Sequence, residues 1–303
     1  GPTGFAHGSG TLLTGVTTNP VLITGLSPQT TYQFYAQADC GSGTLSPWSN
    51  PLTVLTACSP LVTLPYAESF DTYGTGTSAY PTCWTKLGTS TSYPNINTTS
   101  FAGAGSLYLY NSASGNYNYA ILPAFDESIP VNTLQLTYKF RASGTDDTLY
   151  VGVMSEPSDF NTFTVVATYT APVTATWYDN LTFLNSYTGT GKNIAFKSTY
   201  GESSSTIYID NLVVSALPTC IQPNNLSASN VLSTSIDLNW LENGSATTWN
   251  IEYGPVGFIQ GAGTTISGIT TNPYTITSLI PQTDYQVYVQ AVCGSDVSLW
   301  SSP

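Results

Sequence analysis

Residues 1–42 reappear at residues 254–295 without a gap, with about 26 of the 42 aligned positions identical. The matched stretch carries GP-GF, the run TTNP at Thr17 and Thr270, and PQT-YQ-Y-QA-CGS from Pro28 and Pro281. After a one-residue deletion, Trp48, Ser49 and Pro51 align with Trp300, Ser301 and Pro303. Self-similarity at a fixed offset constrains a fold more than any local signal, because both copies must build the same unit. An offset of 253 residues in a chain of 303 means one full period plus about 50 residues of overlap. The expectation is a longer repetitive parent, of which this sequence holds a little over one period.

The unit is built from strands. Only 7% of residues are charged and 41% are hydrophobic. Tyr, Thr, Ser, Gly and Asn fill short alternating runs bounded by turn residues, which favours strands over helices. The 21 Tyr, 11 Phe and 6 Trp argue against disorder, since such surfaces stabilise a chain only when buried. Seventeen acidic against five basic residues give a net charge of −12, and all five basic residues lie between Lys86 and Lys197. Nucleic acid is therefore an unsuitable partner, because phosphate neutralisation needs clustered Lys and Arg. Anionic membrane surfaces are disfavoured by the same sign. No apolar run reaches membrane-spanning length, so direct membrane insertion is not expected.

In residues 218–303, short alternating segments recur between turn signals, the pattern of an all-β sandwich. SIDLNW places Ile236, Leu238 and Trp240 on one face, and WNIEY does the same for Trp249, Ile251 and Tyr253. With Leu279, Pro281, Thr283 and Tyr285 in L-P-T-Y spacing, this segment closely resembles a fibronectin type III domain, the last motif being similar to that family's tyrosine corner. Leu26, Pro28, Thr30 and Tyr32 hold the same positions in the first copy, where the opening strands with the Trp are missing. Residues 1–57 are thus expected to be the C-terminal half of such a domain, with its core exposed. Residues 218–303 are expected to be a domain lacking its last strand.

Residues 58–217 have no counterpart elsewhere in the chain. They carry YAESFDT, PTCW, GSLYL, YAILPAFD, LQLTYKFRA, DTLYVGVM, WYDNLTF, KNIAFKS and STIYIDNLVV, alternating strands throughout. In this order they resemble the jelly-roll domain of MAM and cleaved-adhesin type found in secreted Bacteroidota proteins. Alternation of such a domain with fibronectin-type modules is similar to the giant surface and gliding adhesins of that phylum, which leave the cell by the type IX system. The fold class expected is all-β, fibronectin type III sandwiches flanking a jelly-roll sandwich.

The fibronectin resemblance places the end of the sixth strand near the start of the first, and so implies a Cys220–Cys293 disulfide. Cys58 and Cys83 bracket the first strand of the middle domain and can pair across its loop, which leaves Cys40 without a partner in this chain. Disulfides fit an oxidising, extracellular setting; the competing reading is five buried free thiols in a cytosolic protein. No CxxC and no His at metal spacing occur, which speaks against zinc.

Catalytic constellations are missing. His7 is the only histidine and its repeat counterpart is Gln260. No GxSxG, HExxH or phosphate loop occurs. The carboxylate pairs Asp126–Glu127 and Asp146–Asp147 read as solvated loops. Glu68 and Asp71 near the first strand and Asp210 in the last, joined by Asn111, are candidate ligands for a hard cation, because first and last strands of a jelly roll can be neighbours. The related domains often hold calcium, which is the cofactor the resemblance implies. Among the aromatics, Tyr108 and Tyr110 share a face and so do Tyr117 and Tyr119, with one set expected in the core; Tyr117 and Tyr119 are taken as the ligand-binding pair, suited to sugar rings.

The reading is a non-catalytic segment of a long, repetitive, secreted cell-surface protein that mediates adhesion or display. Its partners are neighbouring repeats of the same chain and a glycan or cell-surface ligand. The alternative is a carbohydrate-binding accessory region of a secreted multidomain hydrolase.

Overall fold

The computed structural model describes residues 1–6, 8–201 and 204–303. His7, the one histidine weighed for catalysis, lies outside the described residues. The chain is all-β, and among the described residues helical structure is confined to two single 3-10 turns at Val131–Thr133 and Phe160–Thr162.

Residues 1–57 contribute two strands, β1 (Thr31–Phe34) and β2 (Leu52–Leu55), paired antiparallel with Tyr32 opposite Val54 and Phe34 opposite Leu52. Every residue of β2 is exposed, as are Leu12, Leu13, Val16, Val21 and Leu22. Residues 1–57 therefore show an uncovered apolar face.

Among the described residues, eleven strands follow in two sheets. They are β3 (Tyr66–Glu68), β4 (Thr85–Gly88), β5 (Asn95–Asn97), β6 (Ser106–Asn111), β7 (Tyr117–Ile121), β8 (Leu134–Ala142), β9 (Thr148–Met154), β10 (Phe163–Thr170), β11 (Tyr178–Phe183), β12 (Asn193–Thr199) and β13 (Ser205–Ala216). One sheet runs β10-β9-β12-β7-β4 and the other β11-β8-β13-β6-β5, with β3 also on β13. Strands distant in sequence thus lie side by side, the jelly-roll signature. Alternation decides the faces: in β8, Leu134, Leu136, Tyr138, Phe140 and Ala142 point into the core while Lys139 and Arg141 point out. Leu107, Leu109, Val151, Phe196, Ile207 and Ile209 complete that core from the facing strands. Trp84 of the PTCW segment closes one side, its Nε1 donating to Tyr66 Oη at 2.8 Å. Burial pushes the Tyr66 hydroxyl up to about 12.

The last module has β14 (Asn224–Ser229), β15 (Ser235–Leu241), β16 (Thr248–Pro255), β17 (Thr264–Ile269), β18 (Tyr274–Thr277), β19 (Tyr285–Cys293) and β20 (Asp296–Val297). Sheets β14-β15-β18 and β17-β16-β19-β20 enclose Leu238, Trp240, Trp249, Ile251, Ile276 and Val289, a separate core. The edge expected to be bare is partly covered, because β20 and then Ser298 and Ser301 run along β19.

Both copies of the repeat make the same local bonds. The amide of Ser27 donates to Tyr32 Oη at 3.0 Å and that of Ile280 to Tyr285 Oη at 2.9 Å, which are two tyrosine corners. Ser46 and Ser49 hold Ala38 and Ala36 through hydroxyl and amide, just as Ser298 and Ser301 hold Ala291 and Val289. Disulfides join Cys58 to Cys83 and Cys220 to Cys293, each with a Cα–Cα distance of 5.7 Å, while Cys40 is free and exposed.

Candidate functional site

The four residues expected to hold a cation separate into two places. Asp210 sits at a β-bulge in β13, where the pairing with β8 shifts register between Asp210 and Val213 and Asn211 takes φ of 49°. The bulge turns the Asp210 side chain under the loop that precedes β6. Asp210 Oδ2 accepts from the amides of Phe101 (2.8 Å) and Ala102 (3.2 Å), and Oδ1 accepts from that of Asn211 (2.7 Å). Asp71 Oδ1 braces the other end of the loop, accepting from Ala104 (2.6 Å) and Gly105 (3.2 Å). Gly103 passes so close that an added Cβ would lie 2.2 Å from Asp71 Oδ1, at φ of 67°. Burial is the main cause that raises the Asp210 carboxyl, and the negative charge of Asp71 adds to it. Amide donors from Ala104 hold Asp71 below the ordinary carboxylate range.

Glu68 is close along the chain but turned to another task, its oxygens accepting from Phe70 N (2.9 Å) and Tyr73 Oη (2.7 Å). Asn111 does not belong to the set. It lies opposite Ser205, five residues from Asp210 along β13, or roughly 16 Å at 3.3 Å per residue. There it donates to Ser198 Oγ and accepts from Asn118 in a buried polar network. Among the described residues, no three His, Cys, Asp or Glu side chains group as a metal-holding set. The fit to a hard cation is therefore partial: two carboxylates that hold one loop, both with lone pairs to spare, and among the described residues no third.

The aromatic expectation is also corrected. Tyr119 is 2% exposed, covered by Phe163 (ring centroids 5.2 Å) and by Lys197, whose Nζ lies 5.4 Å from its ring. Tyr117 is half-buried against Phe160. These rings belong to a small apolar cluster with Ile121, Met154 and Ala195 on the outer face of the five-stranded sheet, so neither offers a free platform. Phe160, 46% exposed, lies against Tyr117, and a larger group of partly exposed aromatics is on the other sheet. Tyr108 and Tyr110 point outward between buried Leu107 and Leu109, and Tyr208 is the direct cross-strand partner of Tyr108. Tyr93 caps Tyr108 and Tyr110, and Trp177 links Tyr208 to Phe101, which is 46% exposed. Arg141 lies over the Tyr208 ring and Lys139 over that of Phe101 at 4.1 Å.

Ring geometry decides what this band can do. Tyr108 and Tyr208 are nearly parallel at 5.0 Å, so one face of each is spent on the other and their edges are left for contact. Such a surface suits hydrogen bonding and edge contacts with a polar macromolecule rather than stacking on sugar faces. Tyr93 stands edge-on to that stack, and Phe101, on the Asp210-held loop, and Trp177 beside it also depart from it. Alternation in STIYIDN already implies that Tyr208 points away from Ile207 and Ile209; what no local pattern holds is its register opposite Tyr108.

Of the two carboxylate pairs, Asp126–Glu127 is in a solvated turn, with Glu127 bound to Lys192 at 2.7 Å. Asp147 is not solvated. It is 1% exposed and its Oδ2 accepts from the amides of Gly144 (2.8 Å) and Thr206 (3.1 Å), tying the β8–β9 turn to β13.

A search of curated proteins finds no match to this chain. Among solved structures, the chain is similar to the K1 cleaved adhesin domain of Lys-gingipain from Porphyromonas gingivalis at 19% identity, over 52% of this chain and 100% of that one, with a TM-score of 0.39. The K3 domain of the same protein gives 20% identity over 50% and 98%, at a TM-score of 0.38. The glycoside hydrolase domain of Endo-D from Streptococcus pneumoniae gives 15% identity over 79% and 43%, at a TM-score of 0.36. Within the chain, residues 221–303, which hold the β14–β20 sandwich and its tyrosine corner, match the family model of the fibronectin type III domain.

Proposed function

We propose that this chain is a non-catalytic segment of a long, repetitive, secreted surface protein, in which fibronectin-type modules space out a jelly-roll sandwich for adhesion or display. The observation that carries this reading is the recurrence of one fibronectin-type sequence on both sides of an unrelated sandwich. A spacer repeated around a different module is how a stalk sets that module away from a surface. Two disulfides support an oxidising exterior. Among the described residues no helix is long and apolar enough to cross a membrane. Export by the type IX route belongs to the same proposal and rests on the sequence resemblance alone. We assign ligand contact to the aromatic band from Tyr93 to Phe101. A calcium-like cation belongs to the proposal too, held by Asp71 and Asp210 without Glu68 or Asn111; bound there, it would neutralise two neighbouring carboxylates and fix the loop that carries Phe101.

The test is retention of beads coated with the purified chain on panels of glycans, matrix proteins and cells, alongside assays for polysaccharide turnover. Saturable retention that a Phe101→Ser, Trp177→Ser double variant loses supports the reading. Turnover of a polysaccharide, or retention by none of the panels, overturns it.

A further inference from the structure

The five basic side chains differ in what they are bound to. Lys139 pairs with Asp179 at 2.6 Å and Lys192 with Glu127 at 2.7 Å. Lys86 donates to the Thr77 carbonyl at 3.3 Å. Lys197 lies over the rings of Tyr119, Tyr150 and Phe163, its Nζ 5.4, 5.4 and 5.7 Å from their centroids. Arg141, the only arginine, differs: its guanidinium lies over the Tyr208 ring at 5.2 Å, and among the described residues no oxygen accepts from it. The nearby carboxylates are engaged, Asp179 by Lys139 and Asp210 by three amides. Five N–H donors are thus left for groups outside the chain.

Strand register gives Arg141 its company. Arg141 is opposite Tyr208 and Tyr208 is opposite Tyr108, while Trp177 directly precedes Tyr178, whose partner is Phe140. Trp177, Arg141, Tyr208 and Tyr108 therefore stand side by side on the outer face, all half-buried. At about 4.8 Å per strand the row is about 14 Å long. Packing on the Tyr208 ring restrains the guanidinium, and a planar fork held in this way takes a carboxylate through two parallel N–H bonds.

The faces of these rings decide the kind of partner. Tyr208 is taken up by Tyr108 and Arg141, and Tyr108 by Tyr208 and Tyr93, so the row offers edges, hydroxyls and one cation in place of open platforms for sugars. Tyr, Trp and Arg are also the residue types that dominate the energy of contacts between proteins. A net charge of −12 repels a strongly acidic partner, which limits the complementarity to a few carboxylates placed at Arg141.

We infer that Arg141 is the centre of a docking site for a polypeptide segment that presents an Asp or Glu side chain. The guanidinium takes the carboxylate, and Tyr108, Tyr208 and Trp177 pack along the segment on either side. The inference rests on the assignment of ligand contact to the aromatic band and gives that contact its chemistry.

The experiment titrates the intact chain into a short fluorescent peptide of Gly, Tyr and Glu and follows anisotropy, beside the same peptide with Gln in place of Glu. Saturable binding of the Glu peptide is expected, with the Gln peptide weaker on the order of tenfold or more, because the charge-assisted fork is lost. Arg141→Gln should bring the Glu peptide down to the level of the Gln peptide, and Arg141→Lys should restore only part, since a point charge lacks the fork. The two peptides on the unaltered chain give the same comparison without any variant having to fold. No saturable binding, equal affinity for both peptides, or an Arg141→Gln chain that binds the Glu peptide like its parent overturns the inference. Polygalacturonate that binds through Arg141 while the Glu peptide does not overturns it as well. Bead retention that survives Arg141→Gln but not the Phe101→Ser, Trp177→Ser double variant sinks this inference alone and leaves the adhesion reading standing. The expected peptide result with retention on none of the panels does the reverse.

Discussion

Replacing Asp210 tests how the exposed end of the aromatic band is held. In Asp210→Ala, three amide bonds to a carboxylate disappear, from Phe101, Ala102 and Asn211 at 2.8, 3.2 and 2.7 Å. Bonds to a charged acceptor contribute about 1.5–3 kcal/mol each, but burial and the Asp71 charge already work against the ionised form, so the three do not sum. The expected loss is about 3 kcal/mol, close to the cost of leaving two amides unpaired. Asp210→Asn keeps one acceptor oxygen for Phe101 and Ala102 and should lose only about 1 kcal/mol. For a sandwich of roughly 150–160 residues, 3 kcal/mol is a drop in Tm of about 6–12 °C. The assay is thermal and urea unfolding in chelating buffer, so that no bound cation contributes, with hydrogen exchange of the Phe101 and Ala102 amides as the local readout. An Ala variant within about 0.5 kcal/mol of the parent, or an Asn variant as damaged as the Ala one, would show that the loop is held by something other than this carboxylate.

Chelation should lower the sandwich's Tm and calcium restore it, by up to about 2.7 kcal/mol at a hundredfold excess over Kd, and Asp71→Asn should abolish the response while Asn111→Ala keeps it; an unchanged melting curve in EDTA refutes the cation. Burial lifts the Tyr66, Tyr108 and Tyr119 hydroxyls to about 12 and raises those of Tyr80 and Tyr138 well above their ordinary value. The folded state thus keeps protons that the unfolded chain releases near pH 10, so stability is complete below pH 10 and falls as pH rises to 12 and beyond. Tyrosinate absorbance should show a class that ionises only as circular dichroism is lost, and a single class titrating near pH 10 with the fold intact would contradict this. Tyr119→Ala should cost about 3–5 kcal/mol in urea unfolding and Tyr117→Ala clearly less, since only Tyr119 is fully covered; a neutral Tyr119→Ala would return that ring to the list of ligand contacts. Removing Cys220–Cys293, which spans 73 residues, should cost about 1 kcal/mol more than removing Cys58–Cys83, which spans 25, if chain entropy dominates, and equal losses of unfolding free energy, each relative to its own module in the parent, would refute that account.

Much of the architecture was legible in the sequence because it is encoded locally. Alternation in LQLTYKFRA assigns each residue of β8 to a face, and the L-P-T-Y spacing yields a tyrosine corner twice. The candidate site was legible only in part, because it depends on register between strands far apart in sequence. Alternation puts Tyr108 with Tyr110 and Tyr117 with Tyr119, yet it cannot say which sheet's outer face receives further cover. Lys197 from β12 and Phe163 from β10 cover Tyr119 almost completely, while Tyr208 from β13 stacks on Tyr108 and leaves both half-buried. Asn111 and Asp210 look equivalent as oxygen donors at strand ends, but antiparallel pairing of β6 with β13 sends them to opposite ends of the sandwich. Asp147 follows Asp146 in a hydrophilic SGTDD run, and its burial comes from the Thr206 amide across the sheet.

The repeat separates these two kinds of information within one molecule. Given nearly the same residues, both copies form the tyrosine corner and the paired serine bonds, so those depend on neighbours in sequence and need no core. The copies part company in burial, at Val16 against Ile269 and at Ala36 against Val289, where the difference is the presence of Trp249 and Ile251 on the adjoining strand. A two-stranded ribbon such as β1–β2 is marginal in water, and its apolar face gains its stabilising term only when removed from solvent. Sequence identity therefore carries backbone pairing from one copy to the other but does not carry stability.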